Sequence, residues 1–212
     1  GVMGCGLFWS KKQGTKWGTP EVIPVAEDTF TVGHPAISLD DKVLVFASNM
    51  PGGQGGKDLW YITYNKKMKE WSKPTNLGAE INTPGDEMFP YIRAGVKVED
   101  NGALYFSSTG HSGMGGLDIF KAASTGVNQW GGVENLQSPM NSEANDFGII
   151  FEGIKDKGFF TTDREGGKGG DDIWSFKLPK MLFQLDGSVK NIATGVAIVG
   201  AKVKLIGTDG SS

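Results

Sequence analysis

A fifteen-residue string occurs three times in this chain and leaves little freedom in how it can fold. Residues 46–60 read FASNMPGGQGGKDLW, residues 106–120 read FSSTGHSGMGGLDIF and residues 160–174 read FTTDREGGKGGDDIW. Each copy begins and ends on an aromatic residue and carries Gly-Gly-x-Asp just before the second one. The copies start 60 and 54 residues apart. A period of that length means one supersecondary unit stacked on copies of itself.

Each unit reads as four strands. The first is expected at 35–38, 89–92 and 147–150, the second at 43–46, 103–106 and 158–161, and the third at 59–62, 119–122 and 173–176. These are short β-branched and aromatic runs bounded by Gly, Asn, Asp and Pro. A fourth strand follows a second aromatic: Trp17 before 21–23, Trp71 before 75–77 and Trp130 before 134–136. No amphipathic helical stretch exceeds two turns. The pairs Gly55-Gly56, Gly115-Gly116 and Gly169-Gly170 are expected to permit positive φ in a tight loop between strands two and three. Asp58, Asp118 and Asp172 are expected to accept backbone N–H groups and fix that loop. The closing aromatics Trp60, Phe120 and Trp174 are expected in the core, because a large ring buries about 150–250 Å².

Four short antiparallel strands in a repeat of this length mark a propeller blade. The expected fold is therefore all-β. It is a partial β-propeller of four-stranded blades over residues 1–179, followed by the start of a small β-sandwich over 180–212. Residues 1–32 read as the last two strands of a blade, 33–85 and 86–145 as full blades, and 146–179 as the first three strands of another. Propellers close with about 4–8 blades. The chain thus reads as a piece of a larger propeller, and the lack of an initiator Met also points to a start inside a longer protein. Exposed blade edges would bind a partner or another copy. Beyond Pro179, strands are expected at 182–189 and 200–206, with Val203 and Leu205 on one face, and a turn at 208–212.

The blade pattern has Pro near the first strand, a phenylalanine-led second strand and Gly-Gly-x-Asp opening the third. It resembles the WD40-like PD40 repeats of TolB-type propellers. The tail, residues 186–195 (DGSVKNIATG) and 199–203 (VGAKV), is similar to the carboxypeptidase-regulatory-like β-sandwich. That order of domains resembles the middle of the large OmpA-family envelope proteins of Bacteroidetes, some of which belong to the type IX secretion and gliding machinery. The resemblance implies a periplasmic protein associated with the outer membrane. It would tie outer-membrane or secretion components to peptidoglycan through domains outside this chain. No wall-binding residue can be carried over.

Composition adds exclusions. A net charge of −3 with both signs interspersed argues against a nucleic-acid footprint. No run approaches the roughly 20 apolar residues of a membrane-spanning helix. Cys5 is the single cysteine, so no internal disulfide forms. A lipid anchor there lacks the preceding apolar stretch, and Gly4-Cys5-Gly6-Leu7-Phe8 falls in register with residues 56–60. The thirty-three glycines concentrate in the repeated loops.

Catalytic patterns are weak. Two arginines, Arg93 and Arg164, are too few for a sialidase triad. Gly110-His111-Ser112-Gly113 comes nearest to a nucleophile elbow, but Met114 breaks it. His34 and His111 occupy different repeat positions, with no spacing that brings them to one metal. Asp163, Asp171 and Asp172 could attract a hard cation, though a loop with one structural Asp is the plainer reading. The phosphate-loop pattern fails at Gly56-Lys57.

The expected function is a non-enzymatic scaffold that binds other envelope proteins and needs no cofactor. Loops 49–57, 109–117 and 163–171 differ between copies, and candidate contact residues are Asn49, Gln54, His111, Met114, Arg164 and Lys168. The alternatives are the accessory propeller of a hydrolase or peptidase, and a glycan-binding propeller.

Overall fold

A computed structural model describes residues 6–25, 29–95, 102–178 and 187–204. Cys5, the turn at 208–212 and most of the strand expected at 182–189 lie outside the described residues. The chain divides into two units, Gly1–Leu178 and Pro179–Ser212. Among the described residues there is no helix, and the fold is all-β.

The N-terminal part holds β1 (Leu7–Trp9), β2 (Lys12–Gln13), β3 (Lys16–Trp17) and β4 (Glu21–Ile23). Strands β1 and β4 pair as the first sheet, and β2 and β3 form a side hairpin. The second sheet comprises β5 (Val32–Ile37), β6 (Val43–Ser48), β7 (Asp58–Asn65), β8 (Glu70–Trp71) and β9 (Thr75–Asn76), with β8 and β9 both pairing with β7. The third sheet runs in order through β10 (Glu87–Arg93), β11 (Ala103–Ser108), β12 (Asp118–Gly126) and β13 (Gln129–Asn135). The fourth contains β14 (Asp146–Phe151), β15 (Lys157–Thr162) and β16 (Asp172–Lys177). Pairing of second and third strands keeps one register: Ala47 opposite Leu59, Ser107 opposite Ile119, Thr161 opposite Ile173.

The sheets stack face to face. Successive side chains of a strand point to opposite faces, and in the middle sheets both faces are apolar. Leu44, Phe46, Trp60 and Ile62 pack with Leu7, Ile23 and Val25 of the N-terminal part. The other face, Val45, Ala47 and Leu59, meets Leu104, Phe106, Phe120 and Ala122 of the third sheet. The far face of that sheet, with Ala103, Tyr105 and Ile119, meets Ile149, Phe151 and Phe160 of the fourth. Every residue of β11 is consequently buried, whereas exposure alternates along β15 and β16, where one face is covered. Burying one such Phe or Leu contributes about 1.5–3 kcal/mol.

The first strand of each larger sheet carries a bulge. His34 (φ 50°), Phe89 (φ 52°) and Gly148 (φ 65°) adopt left-handed backbone where the pairing slips. The His34 ring stacks on Phe89 at 4.0 Å between centroids, and Phe89 lies 4.7 Å from Phe147.

Two expectations need correction. The fourth strand splits into β8 and β9 in the second sheet but is the continuous β13 in the third. The strand expected at 21–23 is β4, and the Trp17 that precedes it is exposed in the side hairpin. In the C-terminal unit, residues 200–204 form no strand and Val203 is exposed; the described pairing is a single bridge between Lys190 and Ala197.

Candidate functional site

The repeated loop is held by its aspartate. Asp58 accepts the N–H groups of Gln54 at 2.6 Å and Gly55 at 3.0 Å. Asp118 accepts those of Met114 at 2.8 Å and Gly115 at 2.9 Å, and Asp172 those of Lys168 at 2.7 Å and Gly169 at 3.0 Å. A Cβ on Gly53, Gly113 or Gly167 would strike that carboxylate.

The Gly-Gly pairs have a different role from the one expected. None of the six adopts positive φ; in this loop Gly52 and Gly166 do. The first two pairs are needed because the neighbouring sheet approaches closely. A Cβ on Gly55 would collide with the Thr83 carbonyl and one on Gly56 with Asp86. In the next copy Gly115 meets the Ala144 carbonyl and Gly116 meets Asn145.

What approaches is the loop leading into the next sheet, and its bonds recur. Lys57 N–H donates to Asp86 Oδ1 at 2.8 Å, and Leu117 N–H to Asn145 Oδ1 at 3.0 Å. Glu87 N–H donates to the Lys57 carbonyl, and Asp146 N–H to the Leu117 carbonyl, both at 2.6 Å. Asn82 accepts from Leu59 N–H at 2.8 Å and donates to the Leu59 carbonyl at 3.0 Å. Asn141 does the same for Ile119, at 2.8 and 2.9 Å. Each asparagine also donates to a second one, Asn76 or Asn135.

Two buried carboxylates complete these seams. Glu87 accepts Thr83 N–H at 2.8 Å, Thr83 Oγ1 at 2.6 Å and Ser108 Oγ at 2.6 Å. Asp146 accepts Ser142 N–H and Oγ and the Arg164 guanidinium. Asn145 donates to Asp163 from its backbone and its side chain, both at 2.7 Å. Those bonds, the side-chain one first, hold Asp163 below the usual carboxylate range.

The candidate contact residues fall into two groups. His111 and Arg164 are joined to the seams. His111 Nε2 lies 2.9 Å from the Ile81 carbonyl, and its ring sits against Phe106 and Phe120. Arg164 donates to the carbonyls of Pro139 and Met140 and lies over Phe160 and Trp174. Asn49, Gln54, Met114 and Lys168 are exposed, and Asn49 accepts Thr31 N–H at 2.8 Å. Trp60 and Phe120 are buried and Trp174 is half-buried.

Asn82, Asn141 and Asp146 escaped the sequence reading, and Glu87, whose pairing with Asp86 reads as turn carboxylates, is instead a fully buried residue of β10. Their signal was a second repeat: 82–87 reads NTPGDE and 141–146 reads NSEAND. Among the described residues no three His, Cys, Asp or Glu side chains are grouped as metal ligands would be. No described helix is long and apolar enough to cross a membrane.

A cleft of about 780 Å³ lies between the first and second sheets, lined in part by Trp9, Trp17, Tyr64, Trp71, Lys11 and Lys66. Residues of β1 line it, and β1 has β4 as its one partner strand among the described residues.

The chain matches no protein-family model and no curated protein.

Proposed function

We propose that the sheets of residues 1–179 are blades of a PD40-type propeller, and that the protein is a non-enzymatic scaffold of the cell envelope. One observation carries this reading: the second, third and fourth sheets join through the same set of asparagine, carboxylate and glycine contacts, at two seams one repeat apart. Such an array extends by adding sheets and presents variable loops at one end of each. Asn49, Gln54, Met114 and Lys168, exposed on those loops, are the contact residues of this reading. The periplasmic setting and the link to outer-membrane or secretion components come from the family resemblance.

The test is capture from an envelope extract, with the chain as bait and mass spectrometry as readout. Reproducible recovery of identified outer-membrane or secretion components, lost when Asn49, Gln54, Met114 and Lys168 are replaced together, supports the scaffold. Recovery unchanged by those replacements removes the loop assignment, and recovery of no envelope protein removes the scaffold.

The glycan-binding reading has one observation in its favour, the aromatic cleft with its lysines. That position beside β1 corresponds to the one β6 takes against the third sheet, where Val43 and Val45 pack with Leu104 and Ile92. A further strand therefore fits the cleft better than a sugar does.

A further inference from the structure

We propose that the open face and edge of the fourth sheet form a seat for a loop-and-strand segment of the form Asn-Ser/Thr-x-x-Asn-acid, carried by a further sheet of the same kind. The proposal rests on the stacked-sheet part of the reading above and not on the envelope setting.

The seat is defined by two filled examples in the same chain. Leu59 and Ile119 are fully buried and satisfied by Asn82 and Asn141; Ile173 occupies the same register position and is 76% exposed. Ile150 and Phe159 flank it on the same uncovered face, each about half-exposed. Gly55, Gly56, Gly115 and Gly116 each leave room for a neighbouring loop. At Gly169 the nearest atom to a Cβ is the Asp171 carbonyl, 3.9 Å away, and at Gly170 nothing lies within 4 Å. The third copy thus keeps a close-approach surface that nothing described approaches. Among the described residues β16 has no fourth-strand partner, whereas β12 has β13 and β7 has β8 and β9.

The chemistry of the incoming loop follows from Asp171, which stands where Lys57 and Leu117 stand. Opposite Lys57 the loop offers Asp86, whose carboxylate accepts from both the backbone and the ammonium. A second carboxylate facing Asp171 would be repelled. An asparagine fits: its oxygen can accept Asp171 N–H, as Asn145 accepts Leu117 N–H, while its amide donates to the Asp171 carboxylate. A leading asparagine would serve the N–H and carbonyl of Ile173, as Asn141 serves Ile119. The chain's own 141–146 loop therefore has the matching chemistry, and the 82–87 loop does not.

The probe is a synthetic peptide of residues 137–151 (QSPMNSEANDFGIIF), titrated into the ¹⁵N-labelled 212-residue chain and read by amide shifts. The expected result is saturable shifts at Gly169, Gly170, Asp171 and Ile173. Binding should weaken at least tenfold when the peptide carries Asn145→Asp or Asn141→Ala, and when the chain carries Gly170→Ala. The chain variant places its methyl in open space, so its fold is retained. No shift at millimolar peptide, shifts elsewhere, or equal binding of the substituted peptides would overturn the proposal. So would loss of these amide signals with rising chain concentration alone, which would put a second copy in the seat. Failure of envelope capture alongside these shifts removes the scaffold and leaves the seat; the reverse removes only the seat.

Discussion

At Gly116 a Cβ would run into the Asn145 carboxamide, while at Gly170, the same position in the next copy, it meets nothing within 4 Å. Gly116→Ala is expected to cost roughly 1–3 kcal/mol, as overpacking does, and Gly170→Ala to stay within about 0.5 kcal/mol. Urea unfolding of the two variants compares them; equal losses would mean that the loop itself, rather than its neighbour, demands glycine. A second residue-scale effect concerns His34. Burial, and then the charge of Lys57, hold its pKa below the ordinary 6.5, and its Nδ1 accepts Phe89 N–H at 3.4 Å. The unfolded chain therefore takes up this proton first as pH falls. Stability from this group is complete above about pH 6.5, declines between there and the folded value, and then levels off. Thermal melts across that range should show the slope in the parent and a flatter profile in His34→Asn, which tolerates the left-handed backbone.

Between elements, Arg164 makes a connection of several bonds. It joins the loop between β15 and β16 to two carbonyls of the loop before β14 and to Asp146 of β14, whose side chain is fully buried. Arg164→Ala would leave that carboxylate without its cation and is expected to cost roughly 3–5 kcal/mol. Arg164→Lys should recover only part of the loss, since an ammonium lacks the planar fork. Chemical denaturation of the three proteins measures both. The same connection explains what could be read from sequence. Strands β6 and β11 were legible because sheets covered on both faces need dense apolar runs, β15 because of its paired phenylalanines, and Asp58, Asp118 and Asp172 because each fixes a loop three or four residues away. The seams were not legible, because Leu59 and Asn82 meet across 23 residues of chain. His111 and Arg164 fall at different positions of the aligned loops yet reach the equivalent carbonyls of Ile81 and Met140. Column-by-column alignment hides such a substitution of means. The fourth strand was blurred because it lies at the sheet edge, where two residues of pairing can suffice, as in β8 and β9.

For the molecule as a whole, one position reports whether a sheet is covered. Ile119 and Ile173 are equivalent, and one is fully buried while the other is largely exposed. Ile119→Lys is expected to cost more than about 4 kcal/mol, as an unpaired buried charge does. Ile173→Lys should stay within about 0.5 kcal/mol. Circular dichroism melts of the isolated chain separate the two; a large loss for the Ile173 variant would mean that its face is already covered in solution. The seams also have a polarity. At the two seams a sheet offers its glycine loop to the sheet that follows and its leading loop to the sheet that precedes, so like never meets like. Heterologous contacts of this sort carry no information about how many copies should join. That number resides in the rotation from one sheet to the next, which either divides a full circle or does not. A substitution that opened one seam by a few degrees could therefore alter the count of an assembly while leaving every hydrogen bond in place.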